Sequence, residues 1–216
     1  MLDLLSYLGQ FAPLVPAFCA VASWSRLPLV ARWMAILLVL ISVNSMLALA
    51  WMKLGNTSTA PFFHGYLLFE CLMMLRLFGL LLGKSIASRW LRVAGATFAL
   101  AWFTNLAVGD GLMALPTWIR PLEAILLVSL AVRYFLKIMS EGVVRNPAKT
   151  FGFWVSTGVL IFFSGNMLLF VFSKTVSDLS GRAYLAIWEV HAALAILLYL
   201  IYTLAIVWAR KNPTSS

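Results

Sequence analysis

A polytopic all-α membrane protein, a bundle of seven transmembrane helices, is the fold class this chain predicts, and three observations carry it. Hydrophobic residues make up 63% of the sequence and charged residues only 11%, the mean hydropathy is +0.97, and the apolar runs are each long enough to cross a bilayer. A soluble domain does not carry such a composition, so the solvent for most of the surface is lipid. Spans of about 20 residues each nearly consume the 216 residues. No stretch is left for a soluble kinase, nuclease or binding module, so any output must pass to a separate partner.

Apolar runs bounded by charge or by Gly, Pro and Asn punctuation place the spans at Leu4–Ser23, Leu29–Met52, Phe62–Leu82, Trp90–Val108, Trp118–Ile138, Phe151–Phe172 and Tyr184–Ala209. The first run lacks a basic leading region, carries Asp3, Pro13 and Pro16, and has no small-residue exit, so it reads as a span and not as a cleaved signal. Residues 1–216 thus form a single transmembrane domain. Lys and Arg beside span ends resist translocation. With the N-terminus outside, twelve of the sixteen basic residues fall on the cytoplasmic side, and only Lys53, Arg120, Lys174 and Arg182 fall outside. The expectation is N-out and C-in, in a bacterial cytoplasmic (inner) membrane. The net charge of +9 then faces anionic lipid and needs no nucleic acid to explain it.

Ionisable groups inside apolar spans are costly and point to function. Glu70, Glu123 and Glu189 follow Pro61, Pro116 and Ala183 by nine, seven and six residues on the three helices that enter from outside. At about 1.5 Å per residue this is roughly 9–14 Å in, in the outer half. Asn44, Asn105 and Asn166 approach the same layer on helices running outward, and Arg120, His64 and His191 lie within it. The cytoplasmic half is mainly aliphatic and aromatic. These residues predict a polar pocket open to the outside, with Glu70, Glu123, Arg120, His191, Asn166, Trp188, His64 and Asn44 as its ligand-binding candidates.

Plainer roles exist for each. Buried Asn side chains most often bond a neighbouring helix. Arg120 and Glu123, three apart on one face, can neutralise each other. Glu189 and His191, two apart, point to opposite sides of their helix, so both cannot face one site. Glu70 is the carboxylate most expected to serve the pocket, being deepest and having no basic residue within a helical turn. Segments aligned on Glu70 and Glu123 echo each other, each with a lysine fourteen positions on, Lys84 and Lys137. Trp154, Gly158, Ile161 and Gly165 form one stripe, and Trp188, His191, Ala195 and Leu198 another. The two stripes are expected to face each other or the bundle axis, with Trp154 and Trp188 as the tryptophans nearest the pocket.

Several chemistries fail on the residues present. The last helix has no lysine between Arg182 and Lys211 for a retinal Schiff base. No H-E-x-x-H, G-x-S-x-G, P-loop or C-x-x-C occurs. His64 and His191 are the minimum for a bis-histidine haem, and no motif specifies a cofactor or metal. Cys19 and Cys71 read as small core residues.

The segments Tyr66-Leu67-Leu68-Phe69-Glu70, Arg120-Pro121-Leu122-Glu123, Phe153 to Gly158 with Phe163 to Asn166, and Trp188-Glu189-Val190-His191 resemble a family of uncharacterised bacterial seven-helix membrane proteins. Some of that family are associated with two-component signalling. The resemblance covers the chain from the third span on, and it implies that Glu70, Glu123, Trp154, Asn166 and His191 occupy the family's polar positions. It imports no activity.

The function expected from these readings is a membrane-embedded sensor or receptor. A small molecule would bind outside, and a signalling partner would be engaged at the cytoplasmic face through the basic stretch Lys137 to Lys149. A transporter or proton/cation conduit built on Glu70 is the alternative, and an intramembrane enzyme using paired carboxylates and a histidine is a further one. A conduit should carry polar residues to the inner face, where the sequence offers mainly Arg76, Ser129, Ser156 and Thr157.

Overall fold

Proline and glycine set where the helices break. The structure, a computed structural model, describes residues 4–55, 58–83, 87–109, 111–113, 118–141, 146–171 and 182–212. Among them every regular element is helical: α1 (Leu4–Phe11), α2 (Leu14–Ala22), α3 (Leu29–Lys53), α4 (Ala60–Leu82), α5 (Ala87–Val108), α6 (Ile119–Glu141), α7 (Phe151–Val171) and α8 (Arg182–Lys211), with single 3-10 turns at Trp24–Arg26 and Pro147–Lys149. The helices from α3 to α8 match the expected spans to within a few residues. The first expected span, Leu4–Ser23, is two helices. Pro13 and Pro16 lack the N–H groups that would bond back one turn, so the ladder is interrupted between Phe11 and Leu14. Pro28 and Pro61 stand at helix starts, where a missing N–H costs nothing. Gly83, at a φ of 84°, ends α4 in a conformation that residues with a Cβ rarely adopt.

Among the described residues four helices are long and apolar enough to cross a membrane: α3, α4, α5 from Arg89, and α8 from Leu185. Two further apolar stretches, Tyr7–Ala22 and Phe151–Met167, are shorter. The sixth helix carries Arg120, Glu123, Arg133 and Lys137, a charge load that sets it apart from those four.

Neighbouring helices close a ring. The α1/α2 pair packs on α3 and α8, α3 on α4, α4 on α6, α6 on α7, and α7 on α8, while α5 lies outside against α4. Ring contacts give the directions. Phe135 meets Phe153, and Arg120 meets Phe163, so α6 and α7 are antiparallel. A Cβ on Gly158 would meet Leu198, and one on Gly165 would meet Leu194, so α7 and α8 are antiparallel too. Lys137 Nζ donates to the Leu81 carbonyl at 3.0 Å, fastening the ends of α4 and α6 side by side and placing a cation on the negative end of α4. The helices bearing Glu70, Glu123 and Glu189 therefore all run the same way, as the sequence predicts. Lys84, the other half of the lysine echo, lies outside the described residues.

The half of the ring at the Lys137 end is solid. Met34, Leu38, Met74, Phe78, Leu127, Phe151, Val155 and Ile206 are fully enclosed there, and the close approach of α7 to α8 depends on Gly158, whose added Cβ would sit 3.1 Å from both Leu198 and Tyr202. The expected stripe on α7 is only partly inward. Gly158 and Gly165 face α8, but Ile161 is exposed, and Trp154 turns to donate to the Ala148 carbonyl at 2.7 Å. A substitution of Gly158 by Leu should lower the unfolding free energy by about 1–3 kcal/mol through overpacking. The same side chain introduced at outward-facing Ala193 should leave it unchanged, and chemical denaturation in detergent micelles would measure both.

Candidate functional site

Helical spacing delivers the charged residues to one point. Arg120 and Glu123 stand three apart at the start of α6, on one face, and the parallel neighbour α4 brings Glu70 to the same level. A single guanidinium nitrogen, Arg120 Nη1, donates to Glu123 Oε2 at 2.5 Å and to Glu70 Oε2 at 2.7 Å. Glu70 and Arg120 are each 4% exposed and Glu123 is 0% exposed. Three rings surround the guanidinium: Phe63 and Tyr66 from α4 and Phe163 from α7, with centroids 5.4, 5.7 and 5.4 Å from its central carbon. Guanidinium is the cation suited to this place, since it is weakly hydrated, planar and able to bond in its plane while packing on aromatic faces.

A second polar pair lies on the next interface of the ring. Asn166 of α7 donates through Nδ2 to the Phe162 carbonyl at 2.9 Å, which turns Oδ1 toward His191 of α8, 2.8 Å from Nδ1. With Asn166 Oδ1 as acceptor, Nδ1 carries the hydrogen and Nε2 is left as the imidazole's acceptor. Trp188 and Phe162 pack against the imidazole, with centroids 5.5 and 5.7 Å away.

Between these clusters and the broken first segment lies a cavity of about 640 Å³. The break at Pro13 forms its wall on one side with Gly9 and Gln10. Asn44, Ser45 and Met52 of α3, Thr59 before α4, Phe63 and Tyr66 of α4, Arg120 of α6, Phe162 of α7, and Leu185, Trp188, His191, Ala195 and Tyr199 of α8 supply most of the rest. Met52, Thr59 and Leu185 belong to helix ends, so the cavity reaches one end of the bundle. Its volume is that of a small-molecule site, and its lining is the usual one of aromatic and aliphatic walls with a few convergent polar groups.

The eight candidate residues divide by position. Arg120, His191, Trp188 and Asn44 line the cavity. Glu70 and Glu123 do not; they stand behind Arg120 and hold it. Asn166 stands in the same relation to His191. His64 is fully buried outside the lining, and its carbonyl accepts the Trp102 indole of α5 at 3.0 Å. The two histidines therefore do not face a shared space, and among the described residues no group of three or more His, Cys, Asp and Glu is placed to hold a metal ion. Glu189 is half-buried, and among the described residues it forms no ion pair. Asn105 is buried without a described side-chain partner, away from the cavity. The expectation that Trp154 lies near the pocket is not met, since it packs at the opposite end of α7.

Sequence reasoning passed over Tyr66, Phe162, Tyr199 and Gln10 as lining residues. Tyr66 was within reach of it, being four residues before Glu70 and so on the same helical face. Gln10 depended on which face α1 turns toward α3 and α8, and composition along the first span could not supply that.

No family model matches this chain, and neither a curated protein nor a solved structure is found to match it. The site therefore stands on its own geometry. Removing the shared cation leaves two carboxylates buried together, so Arg120→Met should destabilise the fold by about 3–5 kcal/mol. Adding Glu70→Leu and Glu123→Leu to that variant should restore most of the loss. Thermal unfolding of the single and triple variants in lipid nanodiscs would show whether the carboxylates, and not lost packing, cause it.

Proposed function

We propose that this protein is a membrane-embedded receptor that binds a small molecule in the cavity beside Arg120 and His191. One observation carries the reading: a cavity of about 640 Å³ at one end of the bundle is walled by Arg120, His191, Asn44 and Trp188 with aromatic residues, while the opposite half is closed by packed apolar side chains. A site open at one end only can report occupancy but does not connect the two sides. The ligand this lining favours has an aromatic or aliphatic body and hydrogen-bonding groups at one end.

The topology that accompanies this reading has seven spans, with the first made of α1 and α2 together, in a bacterial inner membrane. Three of the four charges that separate α6 from the four most apolar helices are met internally, Arg120 by pairing with Glu123 and Glu70, and Lys137 by bonding the Leu81 carbonyl of α4, while Arg133 is exposed one turn before Lys137. A helix whose buried charges are satisfied inside a bundle can still cross a membrane. With the N-terminus outside, the cavity opens outward, and the stretch from Lys137 to Lys149 faces a signalling partner in the cytoplasm.

Transport with Glu70 as the exchanging group is the second reading. The pairing of Glu70 with Arg120 is the observation that weighs against it, because each cycle would have to break that pair and open the core around Leu38, Leu67 and Met74.

Filling the cavity tests the receptor reading. Compounds that raise the unfolding temperature of the wild-type protein should give no shift with Ala195→Trp, which places an indole in the cavity, and should still give one with Ala193→Trp on the outer face. Equal shifts in both variants would move the binding site elsewhere. Topology is tested separately. A reporter after Ser216 should read cytoplasmic and one before Met1 external, and a common side for both would remove the outward-facing cavity.

A further inference from the structure

The count of charges in the triad does not balance. One guanidinium faces two carboxylates, so with every group ionised the cluster carries a net charge of −1 at a place where Glu70 and Arg120 are 4% exposed and Glu123 is 0% exposed. An uncompensated charge in such a setting is strongly disfavoured, and a buried group sheds it by taking or losing a proton. Both carboxylates also direct Oε2 at the same nitrogen, Arg120 Nη1, which crowds two like-charged oxygens together. Carboxylates sharing a site in this way resist ionising together.

No second described cation relieves the excess. From α4, Tyr66 and Cys71 face the triad; from α8, His191, Tyr199 and Tyr202 do; the described part of α7 has no titratable side chain. The imidazole of His191 is engaged by Asn166. The two carboxylates also differ. Glu123 Oε1 is buried and has no hydrogen-bond partner among the described residues, whereas Glu70 has the Tyr66 hydroxyl as a neighbour. An ionised oxygen without a donor is the costliest arrangement available here, and a neutral carboxyl removes most of that cost.

We infer that the Glu70–Arg120–Glu123 triad is a proton-binding site, which holds one proton on Glu123 and is electrically neutral in that state. Glu70 then forms the ion pair with Arg120, and Glu123 completes the site as a neutral carboxyl. The proton comes from water through the cavity, which Arg120 lines. This inference does not rest on the receptor reading, since the charge count is the same whatever the cavity binds.

Infrared spectroscopy of the whole chain in nanodiscs tests it, because a protonated carboxyl has a carbonyl stretching band that an ionised one lacks. Near neutral pH the wild-type protein should show this band, shifted on prolonged exchange into heavy water. Glu123→Gln should abolish it. Glu70→Gln should abolish it too, because the remaining pair, Arg120 with Glu123, is neutral without a proton. Glu189→Gln should leave it in place. A wild-type spectrum without the band overturns the inference outright, whatever the variants do, and an unfolding temperature that rises with sodium but not with choline would then assign the balancing charge to a bound metal cation. A band that survives in Glu70→Gln also overturns it, since burial alone and not charge balance would be holding the proton.

Discussion

One guanidinium nitrogen shared by two carboxylates is the constraint around which the rest of this bundle is arranged. It sets the level at which α6 lies against α4, since a slip of one turn, about 5.4 Å, would part Arg120 from Glu70 and leave the buried Glu70 carboxylate unmet. At the far ends of the same two helices, Lys137 on the Leu81 carbonyl repeats the specification with a weaker bond. Two fastenings at separate levels leave α4 and α6 one register. Phe63, Tyr66 and Phe163 around Arg120 extend the fastening to α7, so an electrostatic contact between two helices becomes a packing contact among three.

The two ends of the bundle differ because different residues were available to fill them. Toward the Lys137 end, Gly158 lets α8 come close enough for Leu198, Ile201 and Tyr202 to close the space. At the other end, the chain breaks at Pro13, and the short α1 runs against α8 through Gly9 and Ala192. Gly9, Gln10 and Pro13 at this break form one wall of the cavity. A small residue lets one end close, and the helix break at Pro13 lines the space at the other. Neither is a matter of hydrophobicity, since both halves are equally suited to an apolar solvent.

The helices were legible in the sequence because length and apolar composition determine them almost alone, and the common direction of α4, α6 and α8 followed from the alternation of spans. The break at Pro13 was visible as a residue but not as a consequence, because prolines are tolerated inside membrane helices when neighbours meet the freed carbonyls. At the site, the i, i+3 spacing of Arg120 and Glu123 disclosed their pairing. Glu70 was harder. Its isolation along its own helix made it look like the working group of the pocket, whereas its cation comes from the neighbouring helix and leaves it behind the cavity wall. Spacing reports what shares a face of one helix; which faces meet is decided by packing. For the same reason Trp188 and Trp154 looked equivalent as sequence and lie at opposite ends of the fold.

Buried ion clusters are a weak source of stability, because taking the ions from water costs about as much as their attraction returns. A bundle held mainly by Leu, Phe and Ala would pack at least as well with apolar residues at Glu70, Arg120 and Glu123, so stability does not account for the triad. Register is one reason to keep it, and Lys137 already contributes there. The remaining reason lies in where Arg120 points. Its carboxylates fix it from behind, its flanks pack on aromatic rings, and its remaining edge lines the cavity, so a cation that would otherwise sweep through many rotamers is held in one orientation toward that space. A preorganised group loses little entropy when a ligand arrives. The charge that adds little to stability is placed where it can act on whatever enters the cavity.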